Sequence, residues 1–361
     1  MGKKHFIIPI FVPHYGCPHD CAFCNQRRIT GLSTDVTPEY VEKIIEEYLP
    51  TFPAGEITVE LAFYGGSFTG IDKEIQRKLL SVPLKYKREG KIDKIRLSTR
   101  PDYIDDDILN LLKQGGVDII ELGVQSLDDA VLKKNGRGHN SQQVYMASKL
   151  IKEYQFELGL QMMLGLIGDT REKMIYTAKE FIKLKPYCVR IYPTLVIKDT
   201  HLERLYKSGN FSPLTLEEAV DISAYLLMLF EYHDINVIRI GLQPTENINY
   251  GKDVVAGPFH PSFRQLVESH IYRIILEDFL NAIKAEIEDR MISIDINNRD
   301  VSNLVGQKSS NVKHLVNKYS LKSIKVYGKQ MDKDLIFIRF DDKNYRIDKR
   351  EYIKRLLNIK D

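Results

Sequence analysis

His14-Tyr15-Gly16-Cys17-Pro18-His19-Asp20-Cys21-Ala22-Phe23-Cys24-Asn25-Gln26 sets three cysteines at spacing C-x3-C-x2-C, directly after the apolar run Phe6 to Val12. Three thiolates on one tight loop can hold three irons of a four-iron cluster, leaving the fourth iron open to a substrate or cofactor. Zinc is the competing ligand set. A closed zinc site wants four ligands, usually as two separated pairs; Cys188 is the one further cysteine, far along the chain, and His14 or His19 would have to complete the set. A disulfide is disfavoured, because three crowded thiols leave one unpaired and nothing else in the sequence points to an oxidising compartment.

The sequence Cys17-x3-Cys21-Ala22-Phe23-Cys24 resembles the signature of the radical S-adenosylmethionine (SAM) enzymes. The resemblance implies a [4Fe-4S] cluster on Cys17, Cys21 and Cys24, whose open iron is chelated by the amino and carboxylate groups of SAM. One electron then cleaves a carbon–sulfur bond, and a 5'-deoxyadenosyl radical takes hydrogen from the substrate. By the same resemblance Phe23 lies near the adenine.

The chain has 361 residues, long enough for one large core of about 250 residues and a smaller unit. At 43% hydrophobic and 28% charged it has an ordinary globular composition. The net charge of +3 does not mark a nucleic-acid binder as a whole, so any such role must come from where the charge sits. The first residues mimic a secretory signal, but the apolar run is short, contains Pro9, and ends in Pro13 and the cysteine loop, which reads as a buried strand. No stretch approaches about 20 uninterrupted apolar residues. A cytoplasmic, reducing setting is expected, with no membrane partner.

Beyond the cysteine loop, strand-length apolar runs alternate with amphipathic helix-length segments. Thr37-Pro38-Glu39 opens the first helix with a capping residue, a proline at the first helical position and an early acid. Strands are expected at 57–64, 94–99, 118–125, 157–164 and 187–193, with helices near 105–114, 141–154 and 170–184, a long helix over 215–233 and a last strand over 236–241. Alternation of this kind implies an α/β fold, a parallel sheet with right-handed crossovers, consistent with a partial (β/α)6 barrel over 1–261. In such barrels the chemistry gathers at the carboxyl ends of the strands.

Several strand ends are similar to those of the elongator catalytic subunit and of oxygen-independent coproporphyrinogen oxidase, over about residues 5 to 265, with the elongator subunit the nearer relative. Gly65-Gly66-Ser67 stands where that family has a Gly-Gly-Glu-like segment whose backbone receives the SAM amino group; Ser67 departs from Glu, a change that a backbone contact survives. Glycine suits a place where a ligand approaches the main chain. Ser98-Thr99-Arg100-Pro101-Asp102 and Glu121-Leu122-Gly123-Val124-Gln125-Ser126 correspond to further segments. The resemblance implies Gln125 for the ribose hydroxyls and Arg137 for the carboxylate, with Arg100 and Gln161 also at the cofactor. Arginine's planar fork suits a carboxylate. Arg190 and Tyr192 join the set more weakly, and Cys188 reads as a small buried hydrophobe, with a catalytic thiol as the alternative. Taken singly, a glycine pair can be only a tight turn and Arg137 only a surface residue.

After a connecting helix over 262–290, the order becomes strand, short helix, loop, helix, two strands and a final helix across 291–361. This small α+β order, βααββα, resembles the KH module, which grips the backbone of about four nucleotides with a Gly-x-x-Gly loop. Gly306-Gln307-Lys308-Ser309 follows that loop with Ser309 in place of the second glycine, and Lys313 follows it. Between Val301 and Met331 there are six lysines and no acid, the footprint of a phosphate-binding surface or merely a solvated face. Tyr319 and Tyr327 are available to stack on bases or to fill the core.

The expected function is therefore a radical SAM enzyme that modifies a nucleotide of tRNA or rRNA, with a reductase, ferredoxin or flavodoxin as electron donor. No acetyl-coenzyme A loop and no second set of cluster cysteines is legible, so the product stays open. The alternatives are a radical SAM enzyme acting on a small molecule such as a porphyrin precursor, and a non-catalytic cluster-bearing RNA-binding or assembly protein.

Overall fold

In the strands over 57–65 and 94–99, alternate residues are apolar and the intervening ones are mostly polar or small, so each strand has one face for helices and one for something else. Lys94-Ile95-Arg96-Leu97-Ser98-Thr99 is typical: Ile95 and Leu97 are fully buried, and Arg96 and Ser98 point the other way. The computed structural model describes residues 4–12, 21–25, 36–242 and 248–359. Cys17, His14 and His19 lie outside the described residues.

Strands β1 (Lys4–Val12), β2 (Ile57–Gly65), β3 (Lys94–Thr99), β4 (Ile119–Gln125), β5 (Glu157–Leu164) and β6 (Cys188–Pro193) pair in sequence order, all parallel. A short antiparallel pair, β7 (Val196–Ile197) with β9 (Val254–Ala256), follows. Strand β8 (Asn236–Ile240) pairs parallel with β6, so the half-barrel has seven strands, the last of them where a strand over 236–241 was expected.

The intervening helices start where their side chains can cap them. Thr37 accepts from the Tyr40 amide with Pro38 in the first turn, Asp72 and Asp105 cap the helices Lys73–Arg88 and Asp106–Gln114, and Asn140 and Gln143 form a reciprocal capping box. The apolar strand faces bury Leu61, Phe63, Ile120, Leu122, Leu160 and Ile191. Each such side chain contributes about 1.5–3 kcal/mol.

The chain forms two compact units, residues 1–215 with 235–259, and residues 216–234 with 260–361. The helix Leu216–Tyr232 therefore belongs with the C-terminal unit, whereas the expected division was 1–261, a connecting helix over 262–290, and 291–361. The connecting helix is Phe263–Ala282, followed after Ile283 by the short Lys284–Ile287.

The rest of that unit is β10 (Met291–Asn297), helices Val301–Val305 and Ser310–Lys318, β11 (Ser323–Lys329), β12 (Leu335–Phe340), β13 (Lys343–Asp348) and the helix Lys349–Leu356. The order is thus βααβββα rather than βααββα. The additional strand β13 forms a hairpin with β12 through Asp341, which takes φ +48° at the turn. Its polar sequence Lys343-Asn344-Tyr345-Arg346-Ile347-Asp348 hid a half-buried strand behind charges. Within the four-stranded sheet the order is β11-β10-β12-β13, with β10 parallel to β11 and antiparallel to β12. Among the described residues no helix is long and apolar enough to cross a membrane.

Candidate active site

At Cys21 the Cys24 amide donates to the Cys21 carbonyl (3.0 Å), closing a tight turn. Two longer ties pin it: Ala22 donates to the Asn135 carbonyl (3.0 Å), and Leu202 donates to the Ala22 carbonyl (2.8 Å). Cys21 is buried and Cys24 half-buried.

Arg137 is buried rather than on the surface. Its Nη1 donates to Cys21 Sγ (3.3 Å), its Nη2 to the Gly123 carbonyl, and its guanidinium lies 6.0 Å from the centroid of the Phe23 ring. Arg100 stands behind it: Nε and Nη2 reach Asp102 at 2.9 Å, and Nη2 also donates to the Arg137 carbonyl. Arg100 therefore braces the Arg137 segment.

Beneath it the buried imidazole of His139 contacts the Val124 carbonyl (3.2 Å). Burial, reinforced by Arg137 and Arg100, pushes its pKa down to about 3, so the ring is neutral.

The ends of β2, β3 and β4 complete a cradle. Gly65 takes φ +98°, a conformation open to glycine, and Gly66 donates to the Val12 carbonyl (3.0 Å), tying the β2 turn to the strand that leads into the cysteine loop. Ser67 Oγ is shared between Thr99 Oγ1 (3.0 Å) and the Arg100 amide (3.1 Å), so Ser67 joins two strand ends. Gln125 has φ +71°, and its buried Oε1 has no hydrogen-bond partner among the described residues; nor has the buried Nε of Arg137. A buried polar atom left without a partner costs free energy unless a ligand supplies one. Both side chains close on Gly123, where an added Cβ would lie 3.3 Å from Gln125 Nε2 and 3.5 Å from Arg137 Nη2.

Below the cradle the sheet's inner face holds a buried charge network that was not legible as a unit in the sequence. Arg96 donates to Glu60 (2.6 and 2.9 Å), Glu121 (2.7 Å) and Cys188 Sγ (3.4 Å). Arg190 Nε lies 2.6 Å from Glu121, and its Nη2 donates to Tyr64 Oη (2.5 Å). Gln161 donates to Glu121 (3.0 Å) and Ser98 (3.2 Å), which places it in this network.

Burial opposes the charge on Glu121, but Arg190 and Arg96 outweigh it and hold the carboxyl below its ordinary range. Burial pushes the Tyr64 hydroxyl up to about 12 and the Cys188 thiol up to about 11, Glu121 adding to both. Cys188 is fully buried, but on the polar inner face against Arg96 rather than among hydrophobes. Alternation was the available signal: Glu60, Arg96, Glu121, Gln161 and Arg190 all occupy the positions between apolar strand residues.

In the C-terminal unit, Gly306 takes φ +77°, and Lys308 and Ser309 are both left-handed, so Ser309 adopts the backbone that a glycine would hold with less strain. Gln307 donates to Gln265 (3.2 Å), whereas Lys308 and Lys313 are exposed. Tyr319 is buried, its hydroxyl bound to the Glu277 carbonyl and Asn281; Tyr327 is exposed.

A parallel α/β half-barrel that gathers a cysteine turn, an arginine on its sulfur and unpartnered polar atoms at the strand ends defines a cofactor-binding enzyme of the barrel class. Residues 11–181 match the radical SAM superfamily, and residues 186–273 match the Radical_SAM C-terminal domain. The chain belongs to the radical SAM superfamily, whose members use a [4Fe-4S] cluster and SAM.

Over 183 residues it is 33% identical to the tRNA uridine(34) acetyltransferase of Methanocaldococcus infernus, covering 48% of this chain and 34% of that protein. It is 30% identical over 231 residues to an uncharacterized protein of Methanocaldococcus jannaschii, covering 61% and 70%. To the heme chaperone HemW of Bacillus subtilis it is 24% identical over 244 residues, covering 65% and 64%. The solved structure of Methanocaldococcus infernus Elp3 lacking its N-terminus shares the fold, with TM-score 0.58 and 22% identity, covering 77% of this chain and 64% of that one. The chain spans 34% and 48% of the lengths of two archaeal acetyltransferases that it matches.

The unpartnered Gln125 Oε1 and Arg137 Nε fit a polar cofactor. Cys21 and Cys24 would be the residues to hold a cluster, with Cys17 outside the described residues, and Gln125, Arg137 and the Gly65-Gly66 backbone would be the contacts for SAM. When bound, the cluster and SAM supply one-electron cleavage and hydrogen-atom abstraction. The protein's own part is to hold the cysteine turn against Arg137 and to keep the neighbouring imidazole uncharged.

Proposed function

We propose that this radical SAM enzyme modifies a nucleotide of tRNA or rRNA, drawing its electron from a reductase, ferredoxin or flavodoxin. The observation that carries the proposal is the charge on the C-terminal unit. Of the six lysines in its acid-free stretch, Lys318 pairs with Glu277 (3.0 Å) and Lys329 with Asp295 (2.5 Å). Lys308, Lys313, Lys322 and Lys325 are exposed and make no ion pair among the described residues. Unneutralised cations on one small unit suit a polyphosphate backbone. The tRNA-directed names of the archaeal relatives support the same substrate class.

The similarity to HemW over 65% of the chain favours a second substrate class, a tetrapyrrole. One experiment separates them: the anaerobically reconstituted chain is reduced with SAM in the presence of unfractionated tRNA, rRNA or heme. Formation of 5'-deoxyadenosine with a mass change in an RNA nucleoside is the expected result. Turnover with no altered nucleoside, together with a shifted heme absorbance, refutes it. Cys24→Ala should lose both cluster absorbance and turnover.

A further inference from the structure

We infer that the open face of the four-stranded sheet, rather than the Gly306–Ser309 loop alone, is a single-stranded RNA-binding platform. The inference rests on the RNA substrate class proposed above. Strand alternation sends Ile292, Ile294, Ile296, Ile336 and Ile338 to the buried side. The opposite side is exposed, and register aligns its residues across all four strands. Tyr327, Asp295, Phe337 and Arg346 form one row, and Lys325, Ser293, Arg339 and Asn344 the next.

Tyr327 is 47% and Phe337 37% exposed, large aromatic surfaces that the fold leaves uncovered. They sit on β11 and β12, either side of β10, two strand spacings or about 10 Å apart, so each ring can serve a separate base. Exposed aromatics on a four-stranded sheet stack bases regardless of sequence.

Charge complementarity selects the occupant. The face carries Lys325, Lys329, Arg339 and Arg346 against one acid, Asp295, which is itself buried and held by Lys329 (2.5 Å) and Arg339 (2.9 Å). Asp295 thereby anchors two of the cations beside the rings. Asp348, at the margin, is engaged in capping the helix Lys349–Leu356. An aromatic floor rimmed by cations suits unpaired bases joined by phosphates.

The test is fluorescence anisotropy of the full chain with a labelled 12-mer oligouridylate and, separately, with unfractionated tRNA, with melting curves to verify folding. Tyr327→Ala and Phe337→Ala should each weaken oligouridylate binding about 5- to 150-fold. Arg346→Gln should reduce the slope of log affinity against log salt by about 0.7. If these variants bind oligouridylate like the unaltered chain while Lys308→Gln loses it, the sheet face is refuted and the RNA substrate class stands. Binding of tRNA without any affinity for oligouridylate has the same meaning. Absence of binding to either RNA refutes both.

Discussion

Glu121 is held between two buried arginines in the barrel, and Glu121→Gln removes its charge while keeping the shape. Its carboxylate is 1% exposed and lies 2.6 Å from Arg190 Nε and 2.7 Å from Arg96 Nη1, with Gln161 donating at 3.0 Å. Arg96 keeps the Glu60 carboxylate at 2.6 Å after the change, so the loss of charge falls on Arg190, whose remaining partners here, the new amide oxygen and the hydroxyls of Tyr64 and Tyr192, are all neutral.

Two unit charges about 4 Å apart at an effective dielectric of about 20 attract by about 4 kcal/mol. Stranding one member of a buried pair costs about 3–5 kcal/mol. Amide hydrogen exchange of the full chain, read by mass spectrometry on β3, β4 and β6 peptides, should therefore accelerate about 150- to 5,000-fold. Adding Arg190→Met should recover part of the protection, because the uncompensated cation is removed. A single variant that exchanges within fivefold of the unaltered protein would mean that solvent already reaches the network, and the buried-pair argument would fail.

Two further outcomes follow from the cradle. Gln125→Ala should weaken SAM binding to the reconstituted protein about 2- to 12-fold, the worth of one neutral hydrogen bond, in equilibrium dialysis; an unchanged Kd removes Gln125 from the cofactor site. His139 takes up a proton near 6.5 when unfolded but only near 3 when folded. Its contribution to stability is therefore intact above pH 6.5 and declines by about 1.4 kcal/mol per unit as pH falls toward 3. His139→Gln should flatten that part of the urea-midpoint curve, and parallel curves for the two proteins would exclude a buried neutral ring.

Local signals made most of the barrel legible. Thr37-Pro38, Asp72 and Asp105 announce helices, and the runs ending at Gly65, Thr99 and Gln125 announce strands, because caps and alternation act over a few residues. The cysteine spacing was similarly local. Partner choice across the sheet was not: nothing near Arg96 in sequence says that it bridges Glu60 and Glu121, which depends on a register 36 and 25 residues away. Arg100 shows the same limit from the other side. It stands at a strand end where a ligand contact was expected, yet its fork is taken by Asp102 and the Arg137 carbonyl. In the C-terminal unit, β13 escaped because its one fully buried residue, Ile347, sits among charges.

The helix Leu216–Tyr232 has a temporal consequence. It is made before β8 but buries Ile222, Leu226, Leu227 and Phe230 within a unit whose other members begin at residue 260. During synthesis its oily side must wait, unsheltered, until the helix Phe263–Ala282 has left the ribosome. Cleavage at 261 would leave this segment on a fragment without the helix Phe263–Ala282 that shares its unit, favouring aggregation over a freestanding barrel.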